Sequence, residues 1–230
     1  MKYSEHPLLS QQLRDHHEQA WLDIACPGDF YSAADRVEMV RVAREAVDCF
    51  LCQQRKNALS PNSIEGTHDG PGELEDVVVD VIHRIKTDPG RLTKTWFDIV
   101  TDEISPQQYV EIVSVVTTSV IIDTLHNALG YGIPELPPPR RGRLRGEYNE
   151  DAVDAGAWVP VQDAGNNPTD TGLPHIPNIV RALGLVPSAV DLFFHTFRPH
   201  YALKEIPLTI TQAQAELVAS RVSAINECFY

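Results

Sequence analysis

The sequence predicts an all-α fold. Apolar residues recur at the spacing of one helix face over long segments, and Pro and Gly fall between those segments rather than within them. No alternation of strand and helix of the βαβ kind is found. With 230 residues, 43% of them hydrophobic and 22% charged, the chain is long enough and apolar enough to bury a substantial core.

The first predicted helix covers residues 32–58, which contain neither Gly nor Pro. Ser32 can cap its N-terminus, and Asp35, three residues later, completes a capping box. Pro61 ends the segment. A helical repeat of apolar residues continues through it: Val37, Val40, Ala43, Val47, Phe50 and Leu51.

Later helices are predicted from the same patterns. The longest begins at Ser105 and Pro106 and ends before Gly130; its length and lack of turn residues favour a helix over a strand, despite a β-branched run. Frequent Pro and Gly with little periodicity predict a linker or extended arm at residues 137–177. The other helices are predicted at residues 74–86, 92–101, 178–183, 189–201 and 211–230.

Charge and hydropathy exclude two classes of partner. A formal net charge of −13 repels phosphate backbones, so we expect no nucleic acid partner. The apolar stretches are too short and too polar to cross a membrane, and the polar N-terminus lacks the apolar run of a signal peptide. We therefore expect a cytoplasmic protein that does not associate with membranes.

The C-terminal segment carries a recognisable pattern. Glu216 and Cys228 are separated by eleven residues, among them Val-Ser-Ala-Ile-Asn. On these features residues 211–230 resemble the signature helix of the alkylhydroperoxidase D and carboxymuconolactone decarboxylase superfamily, in its peroxidase-related branch. That signature reads Glu, eleven residues, Cys, two residues, Cys, three residues, His. The second cysteine of the pattern would follow Tyr230 directly.

The first half of the chain resembles a diverged copy of the same unit. Its pair Cys49 and Cys52 has the signature spacing, but Glu38 lies one position closer to the first cysteine, and Lys56 stands where the histidine belongs. The resemblance implies an alkylhydroperoxidase D-like helical bundle at residues 1–136 and a partial second copy at residues 178–230.

The Cys49 and Cys52 spacing suits dithiol chemistry, because residues three apart share a helix face and can form a disulfide. Arg55 and Lys56 lie one turn beyond Cys52, whereas Glu45 precedes Cys49 by four residues. These charges predict that Cys52 is the attacking thiolate.

The resemblance implies a thiol-dependent peroxidase or disulfide oxidoreductase that needs neither cofactor nor metal. Its partners would be a hydroperoxide substrate and an external dithiol reductant of the lipoyl or thioredoxin type, and we expect a homo-oligomer. A proton relay could draw on several candidate residues besides the two thiols. The candidate catalytic set is Cys52, Cys49, Glu38, His126, His83, His68, Glu216 and Cys228.

Other interpretations of the cysteine pair stay open. Both cysteines could be small buried hydrophobic residues of a helical oligomerisation scaffold that has no catalytic role. Zinc held by the pair and two of His68, His83 and His126 is chemically possible, although no second CxxC or paired-histidine spacing favours it. A carboxymuconolactone decarboxylase-like enzyme would not require the pair.

Overall fold

A computed structural model describes residues 6–7, 9–70, 72–165, 176–200 and 209–225 of the chain. This part of the chain is helical, and its only β-structure is an isolated bridge between Val153 and Val161, which confirms the all-α prediction. The helices are α1 (Gln11–Ile24), α2 (Ala33–Glu45), α3 (Phe50–Asn57), α4 (Asp76–Thr87), α5 (Lys94–Glu103), α6 (Pro106–Ala128), α7 (Asn178–Leu183), α8 (Pro187–Phe197) and α9 (Gln212–Ile225).

The predicted capping box of α2 and the predicted start of α6 are confirmed. Ser32 and Asp35 form a reciprocal capping box at the start of α2. Ser105 caps α6 with Gln108 as its partner, and Pro106 occupies the first turn. Each box satisfies backbone N–H groups that would otherwise lack partners at a helix start, so the sequence fixes where both helices begin.

The single long helix predicted at residues 32–58 is wrong. The chain breaks after α2 in a turn where the Asp48 N–H donates to the Glu45 carbonyl, and α3 starts anew with Cys49 as its N-cap residue. The first N–H of α3, that of Phe50, donates to the Asp69 carboxylate at 2.7 Å. This contact comes from a distant loop and satisfies the new helix start, so local periodicity gave no sign of the break.

Helix α1 was not predicted from the sequence. Ser10 caps it, and its buried side chains line one narrow stripe among many polar residues. Trp21 donates its indole N–H to the carbonyl of Glu135 at 3.1 Å, which fixes the helix against the segment that follows α6. The buried residues are Leu13, His17, Ala20, Trp21 and Ile24.

Helix α6 forms the centre of the core. It packs against α2 and α4 on one side and against α8 on the other, and α8 also packs on α1. Among the described residues α6 is the one helix long and apolar enough to cross a membrane, but 61% of its most apolar window is buried inside the protein. This burial is typical of a core helix.

Residues 134–165 contain no helix, as the linker prediction expected, yet they run against the helical core. The N–H of Arg140 donates to the Ala25 carbonyl at 2.7 Å, and that of Asn149 donates to the Leu185 carbonyl at 2.9 Å. The segment thus connects the loop after α1 with the turn between α7 and α8. The apolar side chains of α7 and α8 form a second buried cluster together with Val110 of α6.

Helix α9 exposes most of its apolar side chains. Leu217 is 70% exposed and Ile225 is 66% exposed. Large exposed apolar surfaces usually mark interfaces, so a homo-oligomer stays our prediction.

Candidate functional site

The two cysteine sulfurs lie at the N-terminus of α3. Cys49 is the N-cap residue and Cys52 lies in the first turn, and both side chains are buried, at 1% and 4% exposure. The backbone N–H of Asp69 donates to the Cys49 sulfur at 3.5 Å, while its carboxylate accepts from Phe50. The loop between α3 and α4 therefore closes over the start of α3.

Two histidines complete the site. The loop carries His68, whose Nδ1 lies 3.6 Å from the sulfur of Cys49 and 3.6 Å from that of Cys52. Helix α4 carries His83, whose Nδ1 lies 3.2 Å from the Cys52 sulfur. The four ligand-type atoms all lie within 4.8 Å of one another. We call these four residues the Cys2His2 cluster.

The electrostatics of the two thiols reverse the order expected from the sequence. Burial opposes ionisation of Cys49, but the Asp69 and Cys52 N–H groups and His68 outweigh it and lower the pKa of Cys49. Burial raises the pKa of Cys52, and the nearby charge of Cys49 adds to this effect. The structure thus favours the thiolate at Cys49, because Arg55 contributes only a small opposing effect on Cys52.

Burial also keeps His83 neutral. Its side chain is 0% exposed, and desolvation together with the neighbouring His68 lowers the pKa of His83 to about 4. Its second nitrogen, Nε2, has no hydrogen-bond partner among the described residues. A neutral imidazole offers an unprotonated nitrogen that can accept a proton or bind a metal ion.

Asp80 of α4 organises the surroundings of the cluster. One of its oxygens lies 2.8 Å from His68 Nε2 and 2.6 Å from the Arg55 guanidinium, and the other accepts from Arg84 at 2.9 Å and from the Trp96 indole at 2.7 Å. These contacts outweigh desolvation and hold the pKa of Asp80 far below its usual range. A carboxylate on His68 Nε2 favours a proton there and leaves Nδ1 free to face the sulfurs.

Two cavities reach this region from different sides. A cavity of about 520 Å³ is lined by Arg55, His68, Asp80 and Trp96, among others, and does not include the thiols. A smaller one of about 140 Å³ is lined by Cys52 together with Lys56 and Lys86. Of the two cysteines, Cys52 lines one of these cavities, on a side that carries two lysines.

Glu38, another predicted site residue, forms ion pairs away from the thiols. It contacts the Arg41 guanidinium at 2.6 Å, and Arg41 also donates to the Gly70 carbonyl at 3.2 Å. The loop backbone at Gly72, where φ is +68°, lies so close to Glu38 that a Cβ there would be 1.9 Å from a Glu38 oxygen. This pair holds the loop after α3 against α2.

The remaining predicted site residues lie on other elements. His126 is buried on α6, with Nδ1 2.9 Å from the Ile122 carbonyl of its own helix. Its neighbour Asp123 binds Arg44 through both oxygens at 2.8 Å. Glu216 is half-buried on α9, and Cys228 lies outside the described residues. Of the seven predicted residues that the structure describes, four lie together.

Asp80 was missed from the sequence, as was the capping role of Asp69. Asp80, His83 and Arg84 lie on the same helix, α4, so a search for a charged group on the helix of a candidate histidine could have found Asp80. Asp69 directly follows His68, but its cap on α3 depends on a chain break that local patterns did not predict. Tertiary contacts define both roles.

No family model, curated protein or solved structure matches the chain.

Proposed function

We propose that Cys49 and Cys52 form a redox-active dithiol that reduces small hydroperoxides and is recycled by an external dithiol. The observation that carries the proposal is the position of His68. Its Nδ1 lies 3.6 Å from both sulfurs while its Nε2 contacts Asp80 at 2.8 Å. A buried thiol, an imidazole and a carboxylate in this order form an arrangement that accepts and returns protons.

In this proposal Cys52 attacks the peroxide because it lines the small cavity, and His68 has to remove its proton because burial raises the pKa of that thiol. A hydroperoxide reaches Cys52, whose sulfur attacks the terminal peroxide oxygen as His68 accepts the thiol proton. The O–O bond breaks, the alcohol leaves with a proton, and Cys52 becomes a sulfenic acid. Cys49 then attacks the Cys52 sulfur, water leaves, and the disulfide forms. Exchange with an external dithiol returns both thiols.

The surroundings support this sequence of steps. Cys49 lies at a helix N-terminus and accepts the Asp69 N–H, so it is prepared to attack as a thiolate. Lys56 and Lys86 at the small cavity favour substrates or reductants that carry a negative charge. The resemblance of residues 211–230 to the peroxidase-related signature helix points to the same chemistry.

Peroxide treatment of the chelator-treated protein tests the proposal. Mild hydrogen peroxide should form a disulfide between Cys49 and Cys52 within a single tryptic peptide, and dithiothreitol or dihydrolipoate should reduce it. The protein should also consume peroxide when such a dithiol is supplied. Cys52→Ser should stop consumption. Cys26→Ser is the matched control, because Cys26 is half-exposed and its thiol donates to the Leu22 carbonyl of α1, away from the cluster. Free Cys49 and Cys52 thiols in a folded, peroxide-treated protein would contradict the proposal.

A further inference from the structure

The same four side chains satisfy the requirements of a metal site. Zinc in proteins binds thiolate sulfur at about 2.3 Å and imidazole nitrogen at about 2.0 to 2.1 Å, in a tetrahedron. At those bond lengths a sulfur and a nitrogen on the same ion are about 3.6 Å apart. Three of the four sulfur–nitrogen distances in the cluster are 3.6 Å, 3.6 Å and 3.2 Å, and the fourth, between Cys49 and His83, is no more than 4.8 Å.

The second ring nitrogen of one ligand is oriented as in known zinc sites. Metal-bound histidines usually donate their other N–H to a carboxylate or a carbonyl, which fixes the tautomer and the ring plane. His68 meets this condition, since its Nε2 lies 2.8 Å from Asp80. Asp80 in turn is held by two arginines, Arg55 and Arg84, so its charge is already compensated and its position is fixed.

Burial and charge favour an ion at this place. Two thiolates confined together in a buried site repel each other and lose hydration, and a divalent cation cancels both charges. His83 is fully buried, and the neutral imidazole is the form of histidine that binds metal. The local core is small, since Cys49, Leu51 and Cys52 form a cluster with Ile64 as its one partly buried apolar neighbour among the described residues.

We propose that the reduced Cys2His2 cluster binds one Zn²⁺ ion through Cys49, Cys52, His68 Nδ1 and His83 Nδ1. The ion links the start of α3, the loop that carries His68 and helix α4, three elements that share little apolar surface here. His126, which the sequence left as a possible ligand, lies outside this group. One consequence rests on the proposed redox function: bound zinc withholds both sulfurs from oxidants, so metal occupancy and disulfide formation exclude each other.

Zinc titration of the full chain tests the site. The reduced protein, stripped with a chelator and desalted, should bind one Zn²⁺ per chain in competition with a chromophoric chelator. Co²⁺ in place of zinc should give the visible bands of a tetrahedral ion and the near-ultraviolet bands of thiolate-to-metal charge transfer. His83→Gln should weaken zinc binding by more than about 100-fold. Loss of a residue that hydrogen-bonds a ligand, such as Asp80, weakens metal affinity roughly 10- to 100-fold, and loss of the ligand itself should weaken it more.

Control variants identify the ligands. Cys26→Ser and His195→Gln should bind zinc as the wild type does, since Cys26 contacts Leu22 and His195 pairs with Asp23. If His83→Gln proves poorly folded by circular dichroism, His83→Cys supplies a ligand again and should restore binding with a stronger charge-transfer band. A folded, reduced wild type that retains no zinc, or a Cys49→Ser variant with unchanged Co²⁺ bands, would overturn the proposal.

The redox proposal and the metal proposal can each be refuted without the other. Zinc binding is measured on the reduced protein without oxidant, and disulfide formation is measured on the chelator-treated protein. A protein that forms the disulfide but binds no zinc refutes only the metal site, and the reverse result refutes only the redox function.

Discussion

The structure buries histidines in two regions that differ in what surrounds them. In the Cys2His2 cluster, His68 and His83 face two sulfurs, and a carboxylate stands behind His68. Between α1 and the end of α8, His17 and His200 contact each other at 2.8 Å, and His17 Nε2 lies 3.2 Å from the Thr196 carbonyl. Among the described residues only the first region brings three or more metal-ligand side chains together.

Both regions bury histidines, but the residues around them differ. His17 and His200 lie where α1 meets α8, at an interface formed mainly by apolar side chains, and both stay neutral because burial disfavours their charge. The Cys2His2 cluster has few apolar neighbours and is held by the contacts of Asp80. A buried histidine becomes a functional candidate when ligands and a proton partner converge on it, rather than through burial itself.

Truncation of apolar side chains should distinguish the small cluster beside the cysteines from the apolar cluster at α8 most clearly. Phe193 packs in the cluster of α7, α8 and Val110, and Phe193→Ala should lower the free energy of unfolding by about 4 kcal/mol. Leu51 lies in the small cluster beside the cysteines, where the loop can relax, so Leu51→Ala should cost about 2 kcal/mol. Urea unfolding measures both, with exposed Leu217→Ala as the control. Equal losses for Phe193 and Leu51 would refute the difference.

Asp80→Asn should destabilise the protein by about 3 kcal/mol, because it leaves Arg55 and Arg84 without the charge that compensates them. Asp98→Asn is the matched control. Asp98 pairs with Lys94 on the surface of α5, with both side chains more than half exposed, and its loss should cost less than about 0.5 kcal/mol. Similar unfolding midpoints for the two variants would mean that Asp80 does not stabilise this region.

The pH dependence of stability should report on His17. Burial and the neighbouring His200 lower the pKa of His17 to about 3, so the unfolded chain binds a proton below pH 6.5 that the folded chain does not. Stability should therefore fall as the pH drops, by about 2 kcal/mol from this residue between pH 7.5 and pH 5. His17→Gln should remove this part of the pH dependence of the free energy of unfolding, which is obtained from denaturation curves at each pH. The control His16→Gln should keep it, and a slope unchanged by His17→Gln would contradict the assignment.

Sequence patterns predicted the fold class and most helices, because caps and apolar repeats are local features. The box at Ser32 and the stop at Gly130 are examples. The failures have tertiary causes. Helix α1 shows only a narrow apolar stripe, and the break before Cys49 depends on a cap from Asp69.

The candidate site was predicted less completely. The CxxC spacing and two of the histidines were found, but which histidines approach the thiols depends on the path of the loop. His68 and His83 reach the cluster, while His126 points along its own helix, although sequence alone ranked them alike. The predicted order of the two thiol pKa values was wrong, because burial raises the pKa of Cys52 while N–H groups that include that of Asp69 lower the pKa of Cys49.

Asp69 contacts the start of α3 twice, with its carboxylate on the Phe50 N–H and its own N–H on the Cys49 sulfur. Both contacts involve the same residue, so we expect the loop and the helix start to unfold locally as one unit. Bulky reagents would then react with the thiols only from the open state, at a rate that follows the opening equilibrium. Hydrogen exchange at the Phe50 and Asp69 amides should track that rate, which would make amide exchange a direct measure of how often the thiols are reachable.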